Sequence, residues 1–117
     1  MSDVPLREPT FLVLTALAAG PQHGYGVIED VRRISEGRVR LQAGTLYAVL
    51  DRLRTDGWVE VEREEVVASR LRRYYRLTGP GARVLAAEAE RLSRNAKAAT
   101  VRLRKLGLTL TLDGGLA

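Results

Sequence analysis

Between Gly44 and Gly57 the chain reads GTLYAVLDRLRTDG. Wound at ~100° per residue, Leu46, Val49, Leu50 and Leu53 fall within an arc of roughly 100°, which predicts a helix from about Gly44 to Asp56 with one apolar stripe. Thr45, Ala48, Asp51, Arg52 and Thr55 take the opposite side, with Tyr47 and Arg54 on one flank. Gly57 stops the helix. The stripe packs on a core. The other side carries small residues that allow close approach, and in Arg52 a long donor that reads a guanine edge or holds a phosphate. A major groove accepts such a helix. An ordinary solvated helix face shows the same pattern, so its neighbours in the chain have to separate the two readings.

Upstream, the sequence predicts two more helices. The first, from about Thr10 to Ala19, is almost wholly apolar and should be buried on most sides, and Gly20-Pro21 ends it. The second, from about Tyr25 to Ser35, sets Val27, Ile28, Val31 and Ile34 on one face, and Gly37 closes it. Arg38 to Leu41 reads as a short extended stretch. Downstream, Trp58 to Arg63 alternates apolar and polar residues, and Arg72 to Leu77 returns as a second strand. Tyr75 and Leu77 then face the core, and Tyr74 and Arg76 lie outside. Glu64 to Leu71 is expected to be a long, mobile hairpin tip. Trp58, at the start of the strand, reads as a core residue rather than a ligand platform. Helix, turn, helix and hairpin in this order make a winged helix-turn-helix.

The returning strand is basic: Arg70-Leu71-Arg72-Arg73-Tyr74-Tyr75-Arg76. Arg70, Arg72 and Arg73 are candidates for backbone phosphates or the minor groove, and the Tyr74 hydroxyl is a candidate phosphate donor. Charge on an edge strand also serves to prevent aggregation. Glu60, Glu62, Glu64 and Glu65 on the other strand argue against a uniformly positive wing.

Thr78-Gly79-Pro80 starts a last helix, a hydroxyl cap followed by proline in the first turn. It runs to Leu106, ~40 Å, and Gly107 ends it. Leu85, Ala89, Leu92, Ala96, Ala99, Leu103 and Leu106 recur as a heptad seam whose middle positions are alanine. Arg83, Glu88, Glu90, Arg91, Arg94, Lys97, Arg102 and Arg104 make the polar face. The first helix is too short to cover the whole seam, which predicts self-association through it.

At 117 residues the chain holds one domain's worth of core, and 45% hydrophobic with 28% charged residues is the balance of a globular protein. The net charge of +5, carried almost wholly by arginine, favours polyanionic partners. With no cysteine, disulfides and thiolate metal sites are excluded. The N-terminus shows no signal-peptide pattern, and the apolar run from Phe11 to Ala19 is too short to span a bilayer, so a cytoplasmic location is expected. His23 is the single histidine and has no partner for metal or base chemistry. Gly24-Tyr25-Gly26 lacks the preceding strand of a dinucleotide site. No enzyme, cofactor or metal is expected.

Three stretches resemble the PadR-like transcriptional regulators, in the short form with a single C-terminal helix. Gly20-Pro21-Gln22-His23-Gly24-Tyr25 resembles the junction between that family's first two helices. Gly44-Thr45-Leu46-Tyr47 followed by Leu50, Arg52-Leu53 and Gly57 resembles its recognition helix. Arg73-Tyr74-Tyr75-Arg76-Leu77-Thr78-Gly79-Pro80-Gly81 resembles its wing exit. The resemblance implies a homodimer joined mainly through the long helix with help from the first, a roughly palindromic operator, usually repression, and release by a small-molecule effector of unknown identity or by another signal. By position it places Thr45, Tyr47 and Arg52 on DNA from the third helix and Arg72 and Arg73 from the wing. Ala48 stands where the family often has proline, and Ser69-Arg70-Leu71 replaces its glycine- or proline-containing wing tip.

The expected architecture is therefore mainly α with a small β-hairpin: a winged helix-turn-helix over residues 1–78, a dimerisation helix over 79–107, and an unassigned tail over 108–117. The expected partners are double-stranded DNA and a second copy of the chain, with no membrane. The alternative is a winged-helix module that serves protein contacts without its own operator.

Overall fold

A computed structural model describes residues 5–107; the tail assigned to 108–117 lies outside them. The elements are α1 (Glu8–Ala18), β1 (Gln22–His23), α2 (Gly24–Ile34), α3 (Ala43–Thr55), β2 (Val59–Val67), β3 (Arg70–Leu77) and α4 (Gly79–Lys105). The predicted order of three helices, a hairpin and a long helix is present. The chain forms two compact units that part after Ala86. The first holds α1 to β3 and the opening turns of α4, and the second begins at Ala87.

In the first unit α1 is the central element. Pro9 sits in its first turn, where an amide donor is not needed, and Leu12, Val13, Leu14, Ala16 and Leu17 are all buried. It packs against α2 and β3. Val27 and Val31 of α2, Leu46, Leu50 and Leu53 of α3, Val59 and Tyr75 complete the core, with Trp58, Leu77 and Leu85 packed at its edge. Each buried leucine stabilises the unit by roughly 1.5–3 kcal/mol. The turn after α3 is a Schellman motif: Trp58 N–H donates to Leu53 C=O at 2.9 Å and Gly57 N–H to Arg54 C=O at 3.0 Å. The chain is thereby turned directly into β2.

The hairpin differs from the expected one. The strands continue to Val67 and Arg70, so the tip is only Ala68-Ser69 and the long mobile loop does not exist. Both tip residues have positive φ, 51° and 65°, as a type I′ turn requires. A third strand, β1, pairs with β3 through Gln22↔Tyr75 and His23↔Tyr74, giving the antiparallel order β1-β3-β2. Arg38 to Leu41 joins no strand. Between Val61 and Arg63 the register of β2 against β3 shifts, so Glu62 is a bulge.

Where β3 meets α4, the chain is fastened to the start of β2. Thr78 N–H donates to Trp58 C=O at 3.1 Å, and Thr78 Oγ1 donates to Gly57 C=O at 2.7 Å. The same Oγ1 accepts from Gly81 N–H at 3.1 Å, as the sequence cap predicts. Gly81 lies so close to the Trp58 carbonyl that a Cβ has no room there.

In the second unit, Glu88, expected on the polar face of α4, is buried at 7% exposure. Arg91 holds it with two hydrogen bonds of 2.8 and 2.7 Å. Arg102, Arg104 and Lys105 in the last turn suit the negative end of the helix dipole.

Thr78→Ala removes the cap of α4 and is expected to cost about 1 kcal/mol in urea denaturation. Gly81→Ala should cost more, about 1–3 kcal/mol, because the methyl meets a backbone carbonyl already fixed by its hydrogen bond to Thr78. A Gly81→Ala protein as stable as wild type would refute this account of the joint.

Candidate nucleic-acid interface

The orientation of α3 is set by its buried side. Leu46 and Leu50 are fully buried and Leu53 nearly so. Thr45, Tyr47, Ala48 and Arg52 are left exposed, and so are Asp51, Arg54 and Thr55 among them. Arg52 forms no ion pair among the described residues, so its guanidinium keeps its donors for a ligand. Tyr47 is 45% exposed, and its phenol ring covers Gly24 at the start of α2. A side chain at position 24 would push this ring away, so a glycine is what lets α2 and α3 approach here. Tyr25, beside it, is 68% exposed. The sequence did not single out this exposed aromatic hydroxyl at the start of α2; its place inside the Gly-Tyr-Gly junction was the available signal.

The wing sorts its arginines by partner. Arg73 Nε donates to Glu64 at 2.6 Å, and Arg76 Nε donates to Glu60 at 2.5 Å. Arg63 lies 3.8 Å above the Tyr74 ring and 3.9 Å from Glu62. The Tyr74 hydroxyl donates to Glu65 at 2.7 Å, so Tyr74 is half-buried rather than free on the outer face. Arg70 and Arg72 form no ion pair among the described residues. Hydrogen bonding to Glu64 raises the Arg73 pKa further above its already high value. Burial raises the Tyr75 pKa, against the opposing effect of Arg73.

His23 joins the helices to the wing. Its Nδ1 accepts the Gly26 N–H at 3.3 Å and so caps α2, and its ring stands edge-on to Tyr74 at 5.5 Å. An accepting Nδ1 requires the neutral imidazole. Desolvation, then the charge of Arg72, lower its pKa, while Glu65 pulls weakly the other way.

On α4, Leu85 packs against the core of the first unit. Further along the seam Ala89, Leu92, Ala96, Ala99 and Leu106 are exposed, Leu92 at 39% and Leu106 at 76%, and Leu103 is half-buried. A shallow recess between α3 and β2 is lined by Asp51, Arg54, Thr55, Val59, Glu60 and Val61. No described helix is long and apolar enough to cross a membrane. Among the described residues no group of histidines and carboxylates is placed to hold a metal.

The family model described as the transcriptional regulator PadR-like family matches residues 13–87. No curated relative matches the chain. Among solved structures, a PadR family transcriptional regulator from Eggerthella lenta DSM 2243 aligns at 26% identity and TM-score 0.60, over 82% of this chain and 83% of its own. A PadR family transcription regulator from Clostridium difficile R20291 aligns at 21% identity and TM-score 0.66, over 83% of this chain and 99% of its own. PadR of Bacillus subtilis, solved in complex with operator DNA, aligns at 20% identity and TM-score 0.61, over 68% of this chain and 46% of its own.

The lowered His23 pKa sets a pH dependence. Between the folded value and 6.5 the unfolded chain binds more protons, so the His23 contribution to stability is complete above 6.5 and is lost as pH falls through the folded value. A proton NMR titration should place the His23 midpoint below 6.5, and His23→Asn, which keeps a capping oxygen, should remove this part of the pH dependence. A midpoint at or above 6.5 contradicts the capped, neutral imidazole.

Proposed function

Because the chain belongs to the PadR-like family of transcriptional regulators, we propose that it is a sequence-specific repressor that binds a palindromic operator as a homodimer. The observation that carries this reading is the exposed α3 patch of Thr45, Tyr47, Ala48 and Arg52, with an unpaired guanidinium on a helix whose other face is fully buried. Two such helices in a two-fold dimer enter successive major grooves about 34 Å apart. Arg52 supplies base choice, and Thr45 and Tyr47 flank it. Arg70 and Arg72, the unpaired cations of the wing, supply phosphate contacts that position the dimer without reading sequence.

Dimerisation through α4 is supported by its seam. Leu92 and Leu106 are exposed apolar residues at heptad spacing, and the exposed alanines between them, Ala96 and Ala99, let two helices approach closely. Repression and its relief by a small-molecule effector complete the proposal. The solved complex of Bacillus subtilis PadR with operator DNA is consistent with DNA as the partner.

Fluorescence anisotropy against DNA from upstream of the chain's own gene and against a scrambled duplex, at two salt concentrations, tests the reading. Tight binding to the upstream DNA that weakens steeply with salt is expected. Arg52→Ala should cost about 1–3 kcal/mol on the operator and relax base choice. Arg72→Ala should weaken both duplexes evenly and reduce the salt slope by about one. If neither variant differs from wild type, the interface is misplaced. If no duplex binds, the module serves protein contacts instead. Leu92→Glu should leave a monomer in sedimentation velocity, and a persisting dimer would move the interface off this seam.

A further inference from the structure

The sequence places five arginines on the hairpin, at positions 63, 70, 72, 73 and 76. Three of them are engaged within the wing: Arg63 by the Tyr74 ring and Glu62, Arg73 by Glu64, and Arg76 by Glu60. The backbone makes two of these engagements possible. Up to Val61 the strands pair as Val59↔Leu77, Glu60↔Arg76 and Val61↔Tyr75; beyond the Glu62 bulge they pair as Arg63↔Tyr74, Glu64↔Arg73 and Glu65↔Arg72. Continued without the bulge, the first register would set Arg63 opposite Arg73, two like charges across the ladder, which is destabilising. The bulge instead brings a carboxylate opposite Arg73. It also brings Glu65 opposite Arg72, but the Tyr74 hydroxyl occupies Glu65, and Arg72 remains unpaired.

We propose that Glu60 and Glu64 are specificity-determining residues of the DNA interface: by holding Arg76 and Arg73 in cross-strand ion pairs, they keep two wing cations off phosphate. The inference rests on the DNA-binding reading given above. Sequence-independent affinity grows with the number of phosphates that lysine and arginine neutralise. A wing with all its arginines free would hold any duplex. With these two engaged, Arg70 and Arg72 supply the wing's general attraction, and base contacts from α3 make up a larger share of the whole. Solvent-exposed ion pairs are weak, so the glutamates compete with phosphate and set the balance in a graded way.

The test is a salt titration of the full chain on a scrambled duplex, comparing wild type with Glu64→Gln, Glu60→Gln and the double variant. Glu90→Gln serves as the control, because it removes the same charge from the Arg94 ion pair on α4. Each wing variant should tighten binding to the scrambled duplex about two- to fivefold and steepen the salt slope by about 0.9. The double variant should approach twice that change in slope, and Glu90→Gln should leave the slope unchanged. Arg73→Ala in the wild-type background should lower the slope by much less than about 0.9, since that guanidinium is mostly engaged. If wild type binds but the wing variants keep its slope, or Glu90→Gln matches them, this inference fails alone. If wild type binds no duplex, it fails together with the reading it rests on.

Discussion

The burial of one face of α3 is the constraint on which the rest of the structure depends. Leu46, Leu50 and Leu53 are sealed into a core they share with the apolar helix α1. Turning α3 by a single residue position, ~100°, would carry all three leucines off the buried side and bring in Thr45 and Arg52 or, in the other sense, Tyr47 and Arg54. At roughly 1.5–3 kcal/mol for each leucine, no phosphate contact on the surface competes with that. The exposed face of α3 is therefore fixed before any ligand arrives. The parts around it hold this arrangement from both ends. His23 caps α2 beneath the Tyr47 edge of the patch, and the Schellman turn at Gly57 hands α3 directly to the wing.

The helix and the wing handle charge by opposite means. On α3 the outward side carries three charges, Asp51, Arg52 and Arg54, none of them in an ion pair among the described residues. On the wing, charge is plentiful but mostly balanced across the ladder. Such a division suits a protein whose net charge of +5 already attracts polyanions from a distance: local neutralisation then limits how much of that attraction becomes contact.

What the sequence revealed follows from periodicity. The apolar stripe of α3, the unbroken apolar run of α1 and the heptads of α4 each repeat over several turns, and their ends carry glycine, proline or a hydroxyl cap. The wing was less legible for physical reasons. Ala68-Ser69 lacks the glycine or asparagine that normally announces positive φ, so a tight turn looked like a long loop. β1 is two residues long and has no period to detect. A bulge leaves no mark in composition, so Glu64 and Arg73 could not be paired from the sequence. The same limit applies to the interface. Exposure of Thr45, Ala48 and Arg52 was readable from their helical positions. The engagement of Arg73 and Tyr74 by glutamates from the facing strand was not.

The bulge at Glu62 also restricts how this wing can diverge among descendants of the chain. Inserting or deleting one residue in either strand inverts the two faces of the hairpin beyond that point. The Glu64–Arg73 pairing would then be broken, and the tip arginines would point to the opposite side. Unless an extra residue is taken up as a further bulge, length changes without that penalty by two residues in each strand at once, a step of ~6.6 Å in reach. Over evolutionary time the wing should therefore lengthen or shorten in discrete increments, whereas single substitutions tune its charge freely.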